Sequence, residues 1–141
     1  MAVAASLAGC LGADEEPQAA NGAPRAIAEV VERLESETAA GDFAGICRDL
    51  FTAAARRRAG GRDCARLTRS AGAGIERPTI EPVAIELAGK TARVRVRTRA
   101  TGQAAVTDEL LLRREAGEWR VEALGADRYP AACSARAHSC R

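Results

Sequence analysis

At Ile80 the hydrophobic period of this chain changes from 3.6 residues to two, and that switch limits the folds open to it. Before it, Ile27, Val30, Val31 and Leu34 repeat at helical spacing, with Glu29, Glu32, Arg33 and Glu35 on the other face. Pro24 suits the first turn of that helix, because its fixed φ and missing N–H are no handicap there. Gly41 ends the helix and Asp42 is placed to cap a second one, whose apolar stripe is Phe43, Ile46, Cys47, Leu50 and Phe51. Asp63 is placed to cap a short third helix bearing Cys64 and Leu67, and residues 71–79 read as a loop. After the switch, Val83, Ile85 and Leu87 alternate with Ala84 and Glu86, and Ala92, Val94 and Val96 alternate with Arg93, Arg95, Arg97 and Arg99. Val106, Leu110 and Leu112 then share a face, and Trp119, Val121 and Ala123 point inward against Arg120 and Glu122. Gly89-Lys90, Thr101-Gly102 and Ala116-Gly117 supply the turns. Helices followed by strands imply an α+β domain: two to three N-terminal helices packed on a curved four-stranded antiparallel meander with one apolar and one charged face.

The closing Gly117-Glu118-Trp119-Arg120-Val121 strand, behind those helices and strands, resembles the NTF2-like (cystatin-like superfamily) cone over residues 24–124. That resemblance implies a pocket between sheet and helices, lined here by Phe43, Ile46, Leu50, Val94, Leu110 and Trp119. Plain core packing is the competing reading for these six. Some members of the superfamily, such as ketosteroid isomerases and polyketide cyclases, hold a carboxylate base in the pocket, where an apolar setting tunes its pKa for proton transfer. Asp108 is the carboxylate whose strand parity matches Val106 and Leu110, and it is a weak catalytic candidate, since a strand-end carboxylate is more often exposed or bonded to backbone. His138 and Tyr129 follow the last strand, and no G-x-S-x-G, P-loop or H-E-x-x-H sequence occurs. The sequence therefore argues against an enzyme and calls for no cofactor.

The chain has five cysteines. Leu7-Ala8-Gly9-Cys10 resembles the bacterial lipobox, which implies cleavage before Cys10 and acylation of its thiol. Residues 1–9 lack the basic n-region of a signal peptide, so they read as a truncated one whose true start lies upstream of Met1. Residues 10–23, rich in Ala, Gly, Pro and acids, then form a tether, and residues 125–141 a cysteine-containing tail. The four remaining cysteines permit three connectivities. The local pairing, Cys47–Cys64 and Cys133–Cys140, is the expected one in an exported chain. No Cys/His spacing of a metal site stands out; Cys133, His138 and Cys140 are better read as a disulfide with a nearby histidine.

All but one of the 21 basic residues are Arg, yet the net charge is only +2, which asks for no nucleic-acid partner. Arg56, Arg57, Arg58, Arg62, Arg66 and Arg69 form the densest basic patch and lack interleaved aromatics. The row of Arg93, Arg95, Arg97 and Arg99 reads as the solvent face of a strand, with Glu86, Glu109 and Glu122 available for cross-strand pairing. The expected protein is thus a lipoprotein on the outer face of the cell membrane. Its non-enzymatic domain binds a small apolar ligand or a protein partner, with homodimerisation through the sheet also open. The alternatives are an isomerase- or cyclase-like enzyme using Asp108, or an electrostatic binder of anionic polymer or lipid.

Overall fold

The computed structural model describes residues 17–125, with side chains from residue 22 onward. The order is helix α1 (Pro17–Ala40), helix α2 (Phe43–Gly45) running into a π-helical turn (Ile46–Leu50), helix α3 (Ala53–Arg58), a 3-10 turn (Gly61–Asp63), helix α4 (Cys64–Ala71), and strands β1 (Thr79–Ala88), β2 (Thr91–Arg99), β3 (Val106–Glu115) and β4 (Glu118–Leu124). The strands pair antiparallel in sequence order, β1-β2-β3-β4, and all the helices cover one face.

The long helix buries Ile27, Val31 and Leu34 as its stripe requires. It begins at Pro17 and carries Pro24 inside. Pro24 is therefore not the helix start expected from the sequence: Pro17 takes the favourable first-turn position, and Pro24 lies inside the helix, where it has no N–H to donate. Gly41 stops the helix at φ 70°, a left-handed conformation that glycine adopts without strain. Asp42 then accepts the Gly45 N–H at 2.8 Å, so the expected cap forms. The apolar stripe that follows is wound as a π turn, which still buries Ile46, Cys47 and Leu50. Glu35, expected on the solvent face, is half-buried and accepts the Ile80 N–H at 2.6 Å, tying α1 to β1.

Phe51 and Thr52 run extended beside β4: Phe51 bridges Val121 in parallel, and the Thr52 N–H donates to the Val121 carbonyl at 3.0 Å. Thr52, fully buried, caps α3 by accepting the Ala55 N–H at 3.0 Å. Helix α3, AAARRR, is an element that no apolar period marks in the sequence. Asp63 makes no capping bond to α4 and instead pairs with Arg66 at 3.5 Å.

Two bulges correct the expected strand parity. In β1 the register slips between Pro82 and Ala84, so Ile80 and Ile85 both pack on the core while Val83 is 59% exposed. One extra residue in a strand flips the face of everything beyond it. In β4 the slip falls around Glu122: Val121 pairs with buried Leu112, but Ala123 pairs with Leu111 and Leu124 with buried Leu110. Ala123 therefore does not share the inward row with Val121. Strand β2, paired on both sides without a slip over Ala92–Val96 against β3, buries Ala92, Val94 and Val96 and exposes its arginines as expected.

Candidate ligand cavity

Where the sheet diverges from the helices, the core gives way to a cavity of about 490 Å³. Leu34 and Thr38 of α1, Phe43 and Ile46, Phe51, and Thr68, Ala71 and Gly72 at α4 form its helical wall. Ile80, Val96, Thr98, Asp108 and Leu110 form the sheet wall, and Ile75, Leu124 and Gly125 complete it. Ile75 and Leu124 are 41% and 57% exposed and mark its mouth.

The polar groups gather on the sheet side. Asp108 is half-buried and lies directly across from Val96 in the β2–β3 register, two pairs along from the Thr98–Val106 pair. The Thr98 hydroxyl donates to the Val106 carbonyl at 3.4 Å, and that of Thr38 to the Leu34 carbonyl at 2.6 Å. A hydroxyl that donates to backbone keeps its lone pairs for a ligand.

Helix α4 is held at this wall by a disulfide. Cys47 of the π turn is bonded to Cys64, with the Cα atoms 6.2 Å apart, and the Thr68 hydroxyl lies 3.7 and 3.8 Å from the two sulfurs. Just past the helix, Gly72 sits under the Phe43 ring: a Cβ there would lie 2.9 Å from Cζ. Only glycine lets the ring stay in place.

Of the residues expected to line a pocket, Phe43, Ile46 and Leu110 do so. Leu50 and Val94 are packed solid in the core, 1% and 0% exposed, and Trp119 is half-buried against it, opposite Arg114. The contributions of α4 and of Thr38, Thr98 and Ile80 were missed. They depend on how far the helices lift from the sheet, for which period and spacing carry no signal.

Glu122 occupies the β4 bulge, where it turns toward the helices rather than joining the outer arginine row. Its carboxylate accepts from the Thr52 hydroxyl at 2.7 Å and from Arg58 at 3.2 Å, and lies 3.7 Å from Arg113. Arg58 also donates to the Glu122 carbonyl. Burial pushes the Glu122 carboxyl up, but the bonds from Thr52 and Arg58 and the charges of Arg58 and Arg113 outweigh it and hold the group below its usual range. The other basic-patch residues, Arg56, Arg57, Arg62, Arg66 and Arg69, are exposed. On the outer sheet face Arg93 approaches Glu109 at 3.6 Å. Among the described residues no three His, Cys, Asp or Glu side chains are grouped as a metal would require, and no helix is long and apolar enough to cross a membrane. Cys10, residues 10–16 of the tether, Tyr129, His138 and the Cys133–Cys140 pair lie outside the described residues.

No protein-family model and no curated protein matches the chain. Solved structures do match in shape. An Rd1NTF2 variant superposes with a TM-score of 0.55 at 16% identity, covering 74% of this chain and 96% of its own. An NTF2-like protein of unknown function from Shewanella baltica OS155 gives 0.54 at 16%, covering 74% and 91%. The de novo designed NTF2 fold protein NT-9 gives 0.50 at 15%, covering 70% and 83%. At such identities the likeness is one of fold. Helices laid over one face of a sequentially ordered four-stranded meander, with a cavity left between the layers, give this chain the NTF2-like α+β fold.

Proposed function

We propose that this protein is an exported, lipid-anchored binding protein whose domain holds a small, largely apolar molecule without transforming it. The observation that carries the binding role is the cavity of about 490 Å³, walled by Leu34, Phe43, Ile46, Val96 and Leu110, with Asp108 and Thr98 together on its sheet side. Ligand sites are typically apolar clefts of roughly 300–1,000 Å³ with a few convergent polar groups that orient the occupant. The apolar wall supplies affinity, while Asp108 selects a ligand that presents a hydrogen-bond donor. The lipobox-like Leu7–Cys10 supports the anchor, and the Cys47–Cys64 bond supports an oxidising compartment.

The neutral dye N-phenyl-1-naphthylamine tests the cavity. Its fluorescence should rise saturably with the protein, and Thr98→Phe should abolish the rise while leaving the circular dichroism unchanged. Saturable binding that Thr98→Phe does not weaken would place the dye elsewhere and sink the reading. For the anchor, intact mass of the protein from native membranes should show residues 1–9 removed and an acyl mass on Cys10. An unacylated chain that retains residues 1–9 would refute it.

The place of Asp108 on the cavity wall favours one second reading, a proton-transfer isomerase. Its carboxylate would take a proton from the carbon between the C=O and C=C groups of a β,γ-unsaturated ketone and return it at the far end of the conjugated system. Such a base also needs a donor for the developing oxyanion. Among the described lining residues the hydroxyls of Thr38 and Thr98 already donate to backbone carbonyls, which leaves that of Thr68 as the side-chain donor. Conversion of such a ketone, followed by its ultraviolet absorbance and lost in Asp108→Asn, would replace the binding role with this one.

A further inference from the structure

Behind Phe51, Thr68, Ala71 and Leu124 lies a second apolar compartment of about 530 Å³, and those four side chains line both spaces. Its remaining walls include the short side chains of Ala55 in α3, Ala59 just past that helix and Ala123 of β4. Leu67 and Leu124, 42% and 57% exposed, stand at its opening.

The two compartments differ in electrostatic character. The first carries Asp108. The second carries Arg58 and Glu122. There the charge of Glu122 is already met by Arg58 and by Arg113 at 3.7 Å. Helix α3 adds exposed Arg56 and Arg57 and contains no acid. An anionic group is therefore favoured at the Arg58 end.

The geometry points to one continuous site for a long-chain carboxylate, with its head at Arg58 and its tail passing Thr68 and Leu124 into the cavity between helices and sheet. The guanidinium has five donors in a fixed fork, so it can receive a carboxylate while keeping a bond to Glu122. The apolar walls take the methylenes, each of which strengthens binding by up to about fourfold when fully buried. The inference rests on the cavity being a ligand site, and the test separates the two ideas.

Octanoate and hexadecanoate are titrated calorimetrically against the full chain, with N-phenyl-1-naphthylamine reporting on the first compartment alone. Hexadecanoate should bind at least tenfold more tightly than octanoate. Arg58→Gln should weaken hexadecanoate about tenfold and leave the dye unaffected. Ala59→Phe, which plugs the second compartment without touching the Arg58–Glu122 bonds, should do the same and guards against a folding defect in the first variant. If the dye binds but hexadecanoate ignores both substitutions, or binds no better than octanoate, the continuous site is refuted and the cavity reading stands. If neither dye nor carboxylate binds, both fall together.

Discussion

Removing the Cys47–Cys64 bond should both destabilise the fold and spoil the cavity, to different extents. The perturbation is the double replacement Cys47→Ala, Cys64→Ala. The bond spans a sequence separation of 17 residues. Closing a loop of that size in the unfolded chain removes entropy equivalent to about 3 kcal/mol at 25 °C. The native state has little to offset its loss locally, because Cys64 is the one buried residue of the eight in α4. A helix of two turns does not hold itself together in water. For a domain of about a hundred residues, roughly 3 kcal/mol corresponds to a fall in Tm of about 10–20 °C. Melts followed by circular dichroism should show that fall in the double variant, and the wild type in reductant should move toward it. Reductant should barely move the variant, which separates this bond from the chain's other cysteines. At 25 °C, where the variant remains folded, dye affinity should still drop, since α4 and its cap supply Thr68, Ala71 and Gly72 to the cavity wall. A variant melting within about 3 °C of wild type would show that α4 is held by packing and that the loop-entropy reasoning is wrong.

Three further substitutions probe other parts of the site. Thr52→Val removes the α3 cap and the 2.7 Å bond to Glu122 from a fully buried position, and should cost about 2–3 kcal/mol in urea unfolding, most of it recovered by Thr52→Ser. Because the Glu122 carboxyl is held below its ordinary value of 4.5, its contribution to stability is complete above that pH and is lost as pH falls through the folded value; Glu122→Gln should flatten that part of the acid limb in urea midpoints measured from about pH 6 downward. Gly72→Ala places a Cβ 2.9 Å from Phe43 Cζ and should drive the ring into the cavity, weakening dye binding while costing about 1–2 kcal/mol in thermal melts.

Of the two central strands, β2 was the easiest to read. In β2 the alternation of Ala92, Val94 and Val96 with arginines corresponds one for one to buried and exposed positions, because neighbours on both sides hold it in register. Strands β1 and β4 lie at the sheet edges, and each carries a bulge that no alternation rule anticipates. Val83 and Glu122 therefore fall on unexpected faces. The stripe of Phe43, Ile46, Cys47 and Leu50 was correct about burial and silent about winding, since a π turn brings the same residues inward. The Cys47–Cys64 bond, the local pairing among three connectivities open to the four cysteines, is the one present. The cavity was half-readable for a related reason. Phe43, Ile46 and Leu110 are inward by period alone, but whether an inward residue meets a partner or a void depends on the separation of two layers. Leu50 and Val94 meet partners.

That separation has its own cause in composition. Aromatic residues make up only 3% of the chain, and the helices nearest the gap present Ala55, Ala59, Thr68 and Ala71 toward it. Side chains this short cannot bridge from helix to sheet, and the disulfide fixes α4 where it stands. Close packing is the default for protein interiors, so retained space of this kind carries a stability penalty that filling should recover. Ala71 lines both compartments and is therefore the position at which to try. Ala71→Leu adds three carbons to an apolar wall and should raise stability by about 1 kcal/mol while weakening both the dye and hexadecanoate. If stability and binding instead rise together, the space is a packing gap that no ligand needs, and the trade between a filled core and an open site does not operate in this protein.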